Sequence, residues 1–71
     1  SADDKFLAPV LEALEHWPAD NTSLAAWAAR GYTTERTLSR RCQQALGMSF
    51  SEWRQRLRFL HAGSLLEQGK T

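Results

Sequence analysis

With 71 residues, 42% of them apolar and 10% aromatic, the chain has enough core-forming side chains to exclude disorder and room for one small domain. Its single cysteine, Cys42, excludes an intramolecular disulfide, and Cys42, His16 and His61 lack metal-ligand spacing, so no metal or cofactor is expected. The net charge of +1 is unevenly spread: Lys5 faces five carboxylates in residues 1–29, while residues 30–71 carry eight basic side chains against Glu35, Glu52 and Glu67.

Such asymmetry fits a second half that meets an anion, nucleic acid being the commonest macromolecular one, although charge alone fits a solvated surface equally well. The sequence has no signal-peptide pattern and no apolar run near the ~18 residues that would span a membrane. A cytoplasmic setting is expected.

In chain order, Phe6, Leu7, Val10, Leu11 and Leu14 recur at three- and four-residue spacing and predict an amphipathic helix over about residues 5–17. Pro9 belongs in a first turn, which moves the start towards Leu7, and Pro18 stops the helix. Thr22 or Ser23 caps a second helix, residues 23–30, with Leu24, Trp27 and Ala28 facing inward. Gly31-Tyr32-Thr33 makes the connection, and Thr34 caps a third helix over 35–46, closed by Gly47. Ser49-Phe50-Ser51-Glu52 reads as a capping box opening a fourth helix, residues 50–68, ended by Gly69. No strand alternation or repeat appears. The expected fold is all-α, a single four-helix domain.

The second and third helices have the shape of a helix-turn-helix, whose second helix shows polar side chains to base edges while its other face packs on the first. Leu38, Cys42 and Ala45 share one face of the third helix, with Leu46 beside them. Arg36, Ser39, Arg40 and Gln43 form a stripe on the opposite side, at i, i+3, i+4, i+7 spacing. Arginine reads guanine bidentately, glutamine pairs with adenine and serine is less selective. Periodicity alone is weak, because most surface helices carry a polar stripe.

More specific is the run Ser23-Leu24-Ala25-Ala26-Trp27-Ala28-Ala29-Arg30, followed by Thr34-Glu35-Arg36-Thr37-Leu38-Ser39-Arg40-Arg41. With Leu46-Gly47-Met48-Ser49, Trp53-Arg54-Gln55-Arg56-Leu57-Arg58 and Ala62…Leu65-Leu66, it resembles the first helix-turn-helix of AraC-type bacterial transcription regulators and their long connecting helix. The likeness covers about residues 6–68. It implies a homeodomain-like fold and sequence-specific binding of double-stranded DNA, with Arg36, Ser39 and Arg40 in the major groove. Gln43 joins them on the helical wheel. Arg30, Thr34, Arg41 and Arg54 are candidate phosphate contacts, Thr34 through the helix N-terminus, while Arg41, towards the flank, suits a salt bridge equally well. The implied partners are a second helix-turn-helix subdomain and an upstream effector-binding domain of the same protein, with RNA polymerase a further one. Three positions depart from the family pattern. Tyr32 stands where glycine is usual, leaving Gly31 to supply the turn one residue early. Cys42 replaces a core phenylalanine, whose volume Trp27 would fill, and Phe50 replaces a common proline.

The fourth helix carries two apolar sets. Phe50, Trp53, Leu57 and Leu60 would dock it on the preceding helices, whereas Phe59, Ala62 and Leu66 lie more than a quarter turn away. One helix with two apolar faces implies two partners, so Phe59 and Leu66 are expected to be exposed here and to be covered by the second half, a symmetry mate or a dimer partner. An enzyme is the weaker alternative: no nucleophile elbow or phosphate-cradling loop is present, and His16 and His61 read as surface residues. Trp17, Trp27 and Trp53 read as core. The stronger alternative is a helical protein-docking module in which DNA binding is secondary.

Overall fold

A computed structural model describes residues 4–69, and among them four helices account for the regular structure: α1 Ala8–His16, α2 Leu24–Arg30, α3 Glu35–Leu46 and α4 Phe50–Glu67. Each boundary has a local cause. Before α1, the Asp4 carboxylate accepts hydrogen bonds from the backbone N–H of Phe6 (2.9 Å) and Leu7 (3.1 Å), holding a turn rather than a helix. Pro9, locked at φ near −65°, then occupies the first turn of α1. The helix therefore starts three residues later than the periodicity suggested. Ser23, Thr34 and Ser49 cap the other three helices, each hydroxyl oxygen accepting from the N–H three residues on at 3.1 Å. Only this arm of the expected capping box forms at α4. The Glu52 carboxylate pairs forward with Arg56 at 3.2 Å instead of turning back.

Three helix ends use left-handed backbone, and Gly69, at φ 73°, follows α4 as expected. Gly47, at φ 72°, closes α3 as expected, its N–H bonding to the Gln43 carbonyl. The end of α2 differs from expectation. Gly31 keeps φ −92°, and Tyr32 takes the left-handed turn at φ 56°. The hydrogen bonds explain why. Tyr32 N–H bonds to Ala29 O (3.2 Å) and Thr33 N–H to Ala28 O (2.9 Å), the paired closure that demands a left-handed residue at position 32. The family's usual glycine position is thus a conformational requirement, which Tyr32 meets with its ring 98% exposed.

Leu7, Val10, Leu14, Ala28, Leu38, Cys42 and Phe50 form the buried core, and Phe6, Leu11, Leu24, Trp27, Trp53 and Leu57 pack against it. Four helical segments thus meet on one cluster, with Phe50, Trp53 and Leu57 anchoring the first half of α4. Two assignments to the packed set fail. Leu60 is 68% exposed, because it lies beside Gln55, Arg56 and Phe59 on the side of α4 turned away from the α1–α2 connection. Trp17 is also 68% exposed, since it caps α1 in a non-helical conformation that turns its ring outward over His16. The outer half of α4 gives the molecule its elongated extents of 40 × 22 × 19 Å.

Arginines tie the segments together. Arg58 donates to the carbonyls of Pro18 (2.9 Å) and Asp20 (2.7 Å) and to Asn21 Oδ1 (2.8 Å), and Arg54 donates to the Thr22 carbonyl. Both leave α4 for the α1–α2 connection, so they hold the loop whose last residue caps α2.

Candidate nucleic-acid interface

Because Leu38 and Cys42 are fully buried and Ala45 and Leu46 partly so, α3 is fixed in rotation about its axis. Arg36, Ser39, Arg40 and Gln43 are all exposed as a result. None of the four makes a side-chain hydrogen bond or ion pair with another described residue. Two guanidinium groups, a hydroxyl and a carboxamide are thus offered outward on about two turns of helix. Ser39 lies at one edge of this stripe, where it lines a groove with Glu35 from its own helix, with Ser51 and Arg54 from α4 and with Ser49, the α4 cap.

The expected phosphate contacts divide into two groups. Arg30 is exposed at the end of α2, its guanidinium 4.8 Å from the Trp27 ring centroid. Thr34 accepts from the Thr37 N–H as the α3 cap and donates its proton to Thr37 Oγ1 at 2.9 Å, leaving the first-turn N–H groups of Glu35 and Arg36 without a partner among the described residues. Arg41 and Arg54 are instead engaged inside the fold. Arg41 pairs with Asp4 at 2.9 Å and lies over the Phe6 ring. Burial pushes the Asp4 carboxyl up, but the Arg41 hydrogen bond and the Phe6 and Leu7 N–H groups outweigh it and hold the pKa below the usual carboxylate value. Arg54 stacks 4.4 Å from the centroid of Phe50, the residue standing in place of the common proline, and bonds to the Thr22 carbonyl. Burial and then the charge of Arg58 lower its pKa, partly countered by Asp20.

Asp20 sits below its usual value mainly because the Thr22 hydroxyl and N–H donate to it, with Arg54 and Arg30 adding to the effect. Cys42 is pushed up by burial and then by the Asp4 charge, which keeps it a neutral thiol. Sequence periodicity missed the Arg58 ties, which span nearly 40 residues and leave no local signature. It also passed over Glu35 as a groove residue, a position that only the α3–α4 packing creates. On α4, Phe59 (78%) and Leu66 (63%) are exposed, and Ala62 with them. Among the described residues no group of three or more His, Cys, Asp or Glu is arranged to hold a metal, and no helix is long and apolar enough to cross a membrane.

A short capped helix, a tight left-handed turn and a second helix bearing an outward polar stripe define a helix-turn-helix of the DNA-binding class. A family model described as a helix-turn-helix domain matches residues 27–71, more than half of the chain. The chain belongs to the AraC-type helix-turn-helix family of DNA-binding transcription regulators. No curated protein and no solved structure matches it.

Proposed function

We propose that the chain is a sequence-reading module of a bacterial, cytoplasmic transcription regulator, inserting α3 into the major groove of double-stranded DNA. The observation that carries this reading is the contrast between arginines. Arg41, Arg54 and Arg58 are spent on internal partners, whereas Arg36 and Arg40 project unpaired beside Ser39 and Gln43. Arg36 and Arg40 suit guanine O6 and N7, Gln43 suits adenine, and Ser39 touches the groove edge. Arg30 and the N–H groups of Glu35 and Arg36, in the first turn that Thr34 caps, meet phosphates and set the register.

The apolar face of Phe59, Ala62 and Leu66 receives the second helix-turn-helix subdomain. Linking two modules makes the second binding event intramolecular and strengthens the pair by roughly 10²–10⁴. The effector-binding domain and RNA polymerase complete the partners that the family implies. In the intact regulator, Arg40→Ala is expected to cost ~1–3 kcal/mol at one base pair, with preference lost there. Binding to duplexes varied one pair at a time, across a salt series, measures it. An equal loss on cognate and random DNA assigns Arg40 to phosphate, and salt-independent binding overturns the reading.

A further inference from the structure

We infer that Glu35 is a base-discriminating residue of this module, selecting a cytosine and excluding guanine and thymine at the base pair it faces. The inference rests on α3 being the reading helix and adds a specificity element of opposite charge. Three observations on the chain carry it. Glu35 is exposed at the first position of α3, the end of a recognition helix that reaches base edges. Its carboxylate makes no hydrogen bond or ion pair with another described residue, and the cap of α3 is already supplied by Thr34. It lines the same groove as Ser39, one turn on, so the two form a ridge along the α4-facing edge of the reading stripe.

Chemistry assigns the target. A carboxylate offers acceptors only, and in the major groove amino donors come from cytosine N4 and adenine N6 alone. Cytosine is favoured because adenine places its N7 acceptor beside the amino group, where a carboxylate is repelled. Guanine and thymine present O6 and O4, which repel it as well. A negative charge inside a basic interface also weakens binding to phosphates in general, which converts affinity for any DNA into preference for some.

The test uses the intact regulator and duplexes of its selected site carrying each of the four pairs at every position. The wild type should favour cytosine at one position by roughly tenfold. Glu35→Gln should move that preference to adenine, and Glu35→Ala should flatten it while binding random duplex more tightly. An unchanged base profile in both variants, with Arg40→Ala still erasing preference at its own position, overturns the inference and leaves Glu35 as a helix-dipole residue. If Arg40→Ala also leaves the profile intact, α3 is not the reader and the function proposed above falls with it. Circular dichroism of Glu35→Gln separates loss of fold from loss of discrimination.

Discussion

Tyr32 shows how one side chain can contradict its backbone. A β-carbon in the left-handed region crowds the following carbonyl and costs roughly 1–2 kcal/mol, and a fully exposed ring recovers nothing by packing. Tyr32→Gly should therefore raise stability by about 1 kcal/mol despite the greater freedom glycine gives the unfolded chain. A urea titration checks this, and an unchanged or lowered midpoint would mean that the freedom glycine gives the unfolded chain matches or outweighs the strain relieved at position 32. Gly31→Ala is the matching control. At φ −92° an added β-carbon meets the Trp27 and Ala28 carbonyl oxygens no closer than 3.7 Å, so it should be tolerated.

Between elements, the tie from Asp4 to Arg41 couples the turn before α1 to the recognition helix. Its carboxyl has a lowered folded-state pKa, so its contribution is present above the unfolded value and disappears as pH falls through the folded one. Asp4→Asn should flatten that part of the acid limb in melting temperature against pH, while lowering neutral-pH stability by less than ~1 kcal/mol for a partly exposed pair. An acid limb identical to wild type would show that other carboxylates govern it. At this scale the helices were readable because capping and 3.6-residue periodicity are local: Ser23, Thr34, Ser49 and Gly47 each announce a boundary. Of the arginine ties, a salt bridge at Arg41 was an open alternative without its partner, whereas Arg54 and Arg58 look like any exposed helix charge until the chain closes on itself. For the same reason the polar stripe of Arg36, Ser39, Arg40 and Gln43 was visible on one helix, whereas the groove that Glu35 lines required two. Leu60 and Trp17 failed because periodicity tells which side of a helix is apolar and not which of its residues a neighbour covers.

Taken whole, the domain is a small core with a long lever. Seven buried residues unite all the helices, so opening any one of them disturbs the rest, and cooperative two-state unfolding is expected. The lever is the outer half of α4, whose exposed apolar side chains contribute nothing to that core. One of the seven also makes the opening of this unit measurable. Cys42 lies on α3 directly behind the stripe, fully enclosed, and its raised pKa keeps it a poor nucleophile. A thiol reagent can reach it only when α3 lifts off the bundle. Labelling of Cys42 under native conditions should then proceed at a rate set by the opening equilibrium, and duplex DNA should slow it by the factor in which it favours the closed state. Rapid labelling of the folded chain would show that α3 detaches by itself. α3 thus carries its own stopwatch, with the dial turned away from its polar stripe.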